Sequence, residues 1–258
     1  MPFTVSHVAA VVPLARRPLV PSALVIGSMA PDLPYFVAIR PWGGELTHTW
    51  WGIALVDVPI TLIALFLYRT LLHEPVMALA PHAVRSKAAG LPAPRFSAAM
   101  LLSALIGALT HVLWDGFTHS DGWALHFLPA LSHDVVPGLG AYKVAQWSSG
   151  LFGVLVLLWW CRRELSRAPE HPVPAHCAPP ARPALARAGI AAFALVFTAV
   201  VIDGPAPEDY LVDGVIAVLS GFALGLALYG ALRALSRSRE RAVGQVFRPR
   251  GRTPRRSA

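Results

Sequence analysis

Apolar residues occur in five long stretches along this chain, and polar segments separate them. Four stretches approach the roughly 20 residues with which an apolar helix crosses a bilayer; they are residues 51 to 71, 96 to 115, 186 to 203 and 212 to 232. A fifth stretch, residues 144 to 161, is less apolar in its first turn. The pattern predicts an all-α fold, a polytopic membrane helical bundle of about five transmembrane helices.

A shorter apolar stretch, residues 8 to 30, comes first and is interrupted by Arg16, Arg17, Pro18 and Pro21. Each part is too short to cross a bilayer, and a proline inside a helix removes a backbone hydrogen bond. We therefore predict two short N-terminal half-helices, which either re-enter the membrane or lie at its interface.

The composition agrees with a membrane protein. Of the 258 residues, 55% are hydrophobic and only 14% are charged. A soluble fold would leave too much apolar surface in contact with water, because the polar residues are too few to cover it. The composition therefore indicates an integral membrane protein.

Lysine and arginine are distributed unevenly among the polar segments. Three segments hold 4, 5 and 9 of them: residues 69 to 95, 162 to 187 and 233 to 258. The intervening segments hold 1, 1 and none: residues 32 to 50, 115 to 146 and 203 to 213. The positive-inside rule then predicts that the first three segments and the C-terminus are cytoplasmic, in the inner membrane, and that the N-terminal region faces outward.

These features divide the chain into four parts. Residues 1–161 form an N-terminal membrane region, and residues 162–187, with six prolines, form a cytoplasmic linker. Residues 188–235 are predicted to be a C-terminal helical hairpin. Residues 236–258 are predicted to be a basic, disordered cytoplasmic tail.

The net charge of +8 is concentrated in this tail. Its arginines are separated by Gly, Thr and Pro, a composition that favours attraction to anionic lipid headgroups. No folded nucleic-acid-binding motif accompanies them. We therefore expect membrane lipids, and no nucleic acid, as partners.

Other chemistry is not indicated by the sequence. The two cysteines, Cys161 and Cys177, both fall on the predicted cytoplasmic side and suggest neither a disulfide nor a thiolate metal site. The chain also lacks a glycine-rich phosphate loop and a Gly-x-Ser-x-Gly nucleophile motif.

His111 and Asp115 stand at the end of the second predicted span. They are four residues apart and share one helix face, which Thr118 and His119 continue. Such a pair costs free energy in a membrane unless something pairs with it. The pair either chelates a cation or forms a hydrogen-bonded brace between helices.

Three further candidates lie on the same predicted outer face: His7, Asp32 and His48. With His111 and Asp115 they form a nitrogen and carboxylate set that suits a divalent metal, zinc most of all, or manganese or iron with more oxygen ligands. A bound metal would lower the pKa of a water molecule for attack on an ester, amide or phosphoester.

Each candidate also has a simpler explanation. His7 could be a solvated residue, Asp32 could cap a helix that begins near Pro34, and His48 could lie among lipid headgroups. His119 could be a ligand, a proton donor or a loop residue.

Asp57 raises a separate question because it lies nine residues beyond His48. On a straight helix it would be about 13 Å deeper and on the opposite face. We therefore expect it to stay outside the metal site and to form a structural ion pair with Arg16 or Arg17, since an unpaired charge at that depth is costly.

Several motifs resemble the bacterial domain-of-unknown-function 4184 family of integral membrane proteins. They are the opening Met1 to His7, the run from Ala23 to Asp32, Thr47-His48-Thr49, and His111 to His119 with Asp121-Gly122. The resemblance covers the N-terminal half well and implies a membrane protein, but no particular activity.

The chain is more distantly similar to membrane-bound metal-dependent hydrolases and zinc-dependent phospholipase C. These share an early Gly-His, a Pro-Asp, a His-Arg-x-x-Thr-His and a His-x-x-x-Asp. Five residues of this chain fall on those positions, so the resemblance implies metal ligation by His7, Asp32, His48, His111 and Asp115. One expected histidine falls on Gly43 or Gly44, where Glu45 or His119 could substitute.

Two classes of function follow. The first is a metal-dependent hydrolase of a lipid-linked or interfacial phosphoester, in which His119 or Glu45 handles protons. The second is a non-enzymatic transporter or assembly factor, in which the same residues form a structural metal site or a polar network.

Overall fold

Five helices in the computed structural model are long and apolar enough to cross a membrane. The structure describes residues 4–36, 44–91, 95–201 and 207–246, without the side chains of 44–45, 207–212 and 239–246. The five helices, called spans 1 to 5 in chain order, are Trp50–Leu79, Ala98–Thr118, Ala141–Arg167, Pro183–Val201 and Asp213–Ser238. The chain is thus a multi-pass membrane protein, and the predicted all-α helical bundle is confirmed.

The spans differ in how much of their surface the protein itself covers. The most apolar window of span 2 is 44% buried, whereas that of span 4 is 11% buried. Large apolar side chains on the outer spans face away from the protein, among them Leu55, Leu151 and Val200 at 70%, 65% and 75% exposure. Lipid can cover these side chains without cost. Span 2 is thus the span that the protein itself covers most.

The two predicted half-helices are present. The first half-helix, Thr4–Leu14, is built from a 3₁₀ turn, a short α segment and a second 3₁₀ turn. The second half-helix is Pro21–Gly27, and its proline occupies the first turn, where the missing N–H is not needed. The chain reverses direction between them at Arg16 and Arg17, which are both exposed.

Glycine allows both half-helices to pack closely against the spans. A Cβ atom at Gly153 of span 3 would lie 2.6 Å from the carbonyl oxygen of Ser6 in the first half-helix. A Cβ atom at Gly107 of span 2 would lie 2.5 Å from the carbonyl oxygen of Leu24 in the second. These close backbone contacts hold the first half-helix, with His7, against span 3 and the second, followed by Ser28, against span 2.

Span 1 is not a uniform α-helix. Its α-helical segments are Trp50–Gly52, Val58–Leu67 and His73–Leu79, and π-helical turns connect them at Ile53–Asp57 and Tyr68–Leu72. A π turn hydrogen-bonds to the fifth residue instead of the fourth, so it rotates the following residues relative to a straight helix. The sequence pattern did not predict these turns, which change the face that Asp57 occupies.

Short elements connect the spans. Those before span 1 are Ala30–Asp32, Leu33–Phe36 and Gly44–Thr47, and His82–Ala88 lies between spans 1 and 2. Those after span 2 are Trp123–His126, Pro129–Ser132, and an antiparallel strand pair, Asp134–Val136 with Leu139–Gly140. Gly138 turns this hairpin with a φ of 80°, a backbone conformation that glycine adopts readily. A last 3₁₀ turn, Ala175–Cys177, follows span 3.

The last helix, Pro207–Val246, is longer than the sequence predicts. It continues past the expected boundary at 235 through residues 236–246, which the sequence analysis assigns to the basic tail. Arg, Ala, Glu and Gln favour helix in that segment, and their propensities outweigh the effect of its high charge. The arginine-rich end of the predicted tail, residues 247–258, lies outside the described residues.

Candidate metal centre

Four side chains from three separate segments meet at one end of the bundle. Asp32 ends the turn Ala30–Asp32, His48 precedes span 1, and His111 and Asp115 lie one turn apart on span 2. One ligand atom from each lies within 4.8 Å of the other three. Asp32 and His111 are buried, and the side chains of Asp115 and His48 are 11% and 27% exposed. These residue types in this arrangement form a candidate metal centre.

The four distances between histidine nitrogens and carboxylate oxygens are close to those of tetrahedral coordination. His111 Nε2 lies 3.3 Å from Asp115 Oδ2 and 3.6 Å from Asp32 Oδ1. His48 Nε2 lies 3.4 Å and 3.8 Å from the same two oxygens. Ligands about 2.0 to 2.2 Å from a tetrahedral ion are separated from each other by about 3.3 to 3.6 Å. The four atoms could therefore hold a small cation between them after small side-chain movements.

The backbone decides which nitrogen of His111 faces the centre. Its Nδ1 lies 2.8 Å from the carbonyl oxygen of Ser28. A carbonyl oxygen only accepts hydrogen bonds, so Nδ1 carries the hydrogen and the lone pair of a neutral ring is on Nε2. That lone pair faces two carboxylates, an arrangement that is repulsive unless a proton or a metal ion lies between them.

His48 is oriented in the same way by the residue before it. The hydroxyl of Thr47 donates to the carbonyl oxygen of Pro31 at 2.9 Å, so its oxygen accepts from His48 Nδ1 at 3.2 Å. The Nε2 lone pair of His48 then also faces Asp32 and Asp115. Both histidines present an acceptor to the two carboxylates, which is the orientation that metal-binding histidines have.

Asp32 is held by the first half-helix. Thr4 Oγ1 donates to Asp32 Oδ2 at 2.7 Å, and Oδ1 faces the two histidines. Both carboxylate oxygens are thus directed into the site, not towards the first turn of Leu33–Phe36. The alternative in which Asp32 serves as a helix cap is not the arrangement that the structure has.

His7 lies beside the four-atom group and not within it. Its ring is fully buried and stacks on the ring of His111, with 3.8 Å between centroids and 19° between planes. Burial lowers the pKa of His7 to about 3, so the ring is neutral. Its Nε2 lies 3.4 Å from Asp115 Oδ1, the carboxylate oxygen on the far side from His111. Direct ligation by His7 stays a prediction.

His119 lies at the edge of the centre and is oriented by a residue that the sequence analysis missed. Its Nδ1 lies 3.2 Å from the carbonyl oxygen of Asp115, and its Nε2 lies 3.3 Å from the amide nitrogen of Gln146. Gln146 is buried, and it lies in the less apolar beginning of span 3. A polar amide near the start of an apolar stretch was the signal that could have identified it.

A cavity of about 570 Å³ opens onto the centre. Its walls combine the candidate ligands with His119 and with aromatic and small residues, namely Asp32, Tyr35, His48, Trp50, Val112, Asp115, Gly116, His119, Asp121, Gly122 and Trp123. The volume lies in the range of small-molecule sites. A bound ion would therefore be reachable by a small molecule or by part of a larger one.

Asp57 is not among the four candidate ligands, and its expected ion pair with Arg16 or Arg17 is not among the contacts of the described residues. Asp57 is fully buried, and neither of its carboxylate oxygens has a hydrogen-bond partner among the described residues. Arg16 and Arg17 are exposed at the turn between the half-helices, and no ion pair joins either to Asp57 in the part of the chain that the structure describes. The π turn places Asp57 within electrostatic reach of the candidate ligands instead.

The remaining candidate, Glu45, precedes His48 by three residues. Its side chain lies outside the described residues, so its proposed role in proton transfer stays a prediction.

Comparison with known families gives one match. The family described as Domain of unknown function (DUF4184) matches residues 1–231. No curated protein and no solved structure matches the chain. The expected similarity to metal-dependent hydrolases and zinc-dependent phospholipase C is therefore not shown by these comparisons.

Proposed function

The chain belongs to the DUF4184 family, and we propose that it is a membrane-embedded, metal-dependent hydrolase of a lipid-linked or interfacial phosphoester. One observation carries the proposal. The Nε2 lone pairs of His48 and His111 and the oxygens of Asp32 and Asp115 converge on one point beside a cavity.

Charge supports a divalent cation at that point. Two neutral imidazoles and two carboxylates together carry two negative charges, which a single divalent ion balances. A proton on His111 alone would leave the equally oriented lone pair of His48 facing the same carboxylates. One ion satisfies all four acceptors, and the nitrogen and oxygen set favours zinc.

The surrounding residues support hydrolysis. When bound, the ion would supply an activated water molecule and polarise a phosphoryl or carbonyl oxygen. His119 lies on the wall of the same cavity, 27% exposed, and is our candidate for moving protons to the leaving group. Gln146 and the carbonyl of Asp115 fix the orientation of its ring.

An amphiphilic substrate fits the position of the cavity. The cavity lies where span 1 begins and span 2 ends. Trp50 and Trp123 provide aromatic rings there, of the kind found at membrane interfaces. A phosphate ester on a lipid carrier would keep its apolar chain in the bilayer and bring its polar group to this level. The lysine and arginine distribution supports an outward-facing site and a cytoplasmic C-terminus in the inner membrane.

A second function has an observation in its favour. The bond from Thr4 to Asp32 ties the first half-helix to the turn that follows the second, and the bond from His111 to Ser28 ties the second half-helix to span 2. The same residues could therefore form a structural metal site or polar network in a non-enzymatic transporter or assembly factor. In that case, loss of a ligand would unfold the N-terminal region as well as release the metal.

Elemental analysis of protein purified in neutral detergent without chelator tests the proposal. We expect about one equivalent of metal in the wild type, and loss of it in the His111→Ala and Asp115→Ala variants. The matched control is His126→Ala, because His126 is an exposed histidine in the loop that follows span 2. Absence of metal from the wild type, with none taken up on addition of zinc, would overturn the proposal.

Activity separates the two functions. Hydrolysis is measured with bis(p-nitrophenyl) phosphate and with p-nitrophenyl acetate in mixed micelles. A metal-dependent rate that Asp115→Ala abolishes, in a variant that remains monodisperse and helical, supports the hydrolase. Stoichiometric metal with no rate on either substrate, and unfolding of Asp115→Ala, supports the structural site.

A further inference from the structure

Arg85 is a buried cation at the opposite end of the bundle from the metal centre. It lies on the short helix His82–Ala88 and is only 6% exposed. Its Nε and Nη1 atoms are buried without a hydrogen-bond partner in the described ranges. A guanidinium stays protonated at any accessible pH, and a buried charge without a partner is strongly unfavourable. Its environment therefore calls for an anion.

The segment after span 3 covers this helix. The backbone N–H of His171 donates to the carbonyl oxygen of Ser86 at 2.9 Å. A Cβ atom at Gly90 would lie 2.1 Å from the ring of the same histidine, so the segment packs directly against the end of the helix. Cys177, further along it, is 1% exposed. The burial of Arg85 thus comes from a specifically packed segment.

Positive charge is in excess around Cys177. Arg85, Arg233, Arg237 and Glu74 all lie within electrostatic reach of its thiol. Glu74 is already engaged, since its Oε2 accepts from Arg237 at 2.6 Å and its Oε1 lies 3.5 Å from Arg233 Nε. Arg233 and Arg237 therefore share this carboxylate, and none of its hydrogen bonds in the described residues goes to Arg85.

We propose that Arg85 is the centre of a second site, which binds the phosphate group of an anionic ligand at this end of the bundle. Phosphate oxygens accept charge-assisted hydrogen bonds from guanidinium N–H groups, and the buried Nε and Nη1 of Arg85 are two donors that such oxygens could satisfy. The excess charge of Arg233 and Arg237 adds attraction to the same anion. The ligand is either a phospholipid headgroup, which lies at this level of a membrane, or free phosphate.

Thermal unfolding of the full chain in neutral detergent tests the proposal. The probes are phosphatidylglycerol in mixed micelles, phosphatidylcholine at the same mole fraction, and inorganic phosphate. We expect phosphatidylglycerol to raise the unfolding temperature and phosphatidylcholine to have no effect. In Arg85→Gln, the concentration of phosphatidylglycerol for a half-maximal shift should rise at least about tenfold.

Two control variants define the result. Arg167→Gln removes an exposed arginine at the same end of the bundle and should respond like the wild type. In Asp115→Ala the shift is measured from that variant's own unfolding temperature without lipid. Phosphatidylglycerol should raise it as in the wild type, because the site does not depend on the metal centre. If Arg85→Gln does not purify as a folded monodisperse protein, Arg85→Lys takes its place; it keeps the charge, loses the planar set of N–H donors, and should also show weaker binding.

Thermal unfolding with inorganic phosphate identifies the source of the anion. A shift with inorganic phosphate that Arg85→Gln weakens indicates a site for free phosphate. A shift with phosphatidylglycerol alone, together with one such lipid per chain in native mass spectrometry, indicates a headgroup site. An equal response of Arg85→Gln and the wild type, or no response of the wild type to either anion, would overturn the proposal.

Discussion

The two ends of the bundle have opposite imbalances of charge. At the metal centre, His48, His111, Asp32 and Asp115 direct hydrogen-bond acceptors at one another. At the other end, guanidinium groups outnumber the nearby carboxylate, and Arg85 has buried donors without a partner in the described residues. Neither arrangement is balanced by the described protein groups alone. Our two proposals follow from this difference: a cation would complete one end from outside, and an anion the other.

The ends also differ in how their side chains are held. At the metal centre a backbone carbonyl and two threonine hydroxyls fix the candidate ligands, and Asp32 and His111 are almost completely buried. At the opposite end Glu74, Arg233 and Arg237 have side chains that are 26%, 18% and 28% exposed. Because water screens exposed ion pairs, we expect substitutions to have much larger effects at the metal centre.

The largest effect is expected for Asp115→Ala. One oxygen of Asp115 faces His48 and His111, and the other faces His7 and His119 at 3.4 and 3.6 Å. Its removal should weaken metal binding by about 100-fold or more. Competition with a coloured zinc chelator measures the affinity, and His126→Ala serves as the control. Wild-type affinity in Asp115→Ala would show that the acceptors do not converge on a metal.

Removal of the metal should have the next largest effect. A ligand present at about 100 times its dissociation constant stabilises the folded state by about 3 kcal/mol. EDTA should therefore lower the unfolding temperature of the wild type, and zinc should restore it. Asp115→Ala should not respond to either addition. If EDTA leaves the unfolding curve of the wild type unchanged, the proposal that a cation is bound at the metal centre is contradicted.

A smaller effect is expected for Gln146→Leu, on the assumption that the centre is catalytic. The substitution removes the amide that orients His119, so the hydrolytic rate should fall about tenfold while the metal content stays constant. Ser148→Ala, at an exposed position on the same span, is the matched control. Loss of metal from Gln146→Leu would instead place His119 among the ligands.

The fold followed from the sequence more closely than the details of the site. Hydropathy located all five spans, and the Arg-Pro interruption located the two half-helices. The π turns of span 1 were not predicted, because Ile53 to Asp57 has the same apolar pattern as an α-helix. The strand pair after span 2 is too short to show a period of two residues.

In the site, helical spacing related His111 to Asp115, and topology brought Asp32 and His48 to the same end. The supporting residues have no such pattern. Thr4 bonds to Asp32 across 28 residues of sequence, and Gln146 to His119 across 27. Their roles depend on the packing of the half-helices against spans 2 and 3. Only the three-dimensional structure shows that packing.

At the opposite end we expect Glu74→Gln to cost at most about 1 kcal/mol, since its ion pairs are partly exposed. Chemical unfolding in detergent measures the change. The substitution also removes the carboxylate that competes with an external anion, so phosphatidylglycerol should bind more tightly than to the wild type. Weaker lipid binding in Glu74→Gln would contradict an excess of positive charge as the cause of binding.

The smallest effect on stability is expected for Asp57→Asn, and it distinguishes an ion pair from an unpartnered carboxyl. Breaking a buried ion pair costs about 3 to 5 kcal/mol. Because the carboxylate of Asp57 has no hydrogen-bond partner in the described part of the chain, its isosteric replacement should change the free energy of unfolding by less than about 1 kcal/mol. Metal affinity should fall at most a few-fold, because Asp57 supplies none of the four candidate ligand atoms. Chemical unfolding with and without zinc separates the free energy of unfolding from the metal affinity. A loss of several kcal/mol in the metal-free protein would instead support an ion pair of Asp57.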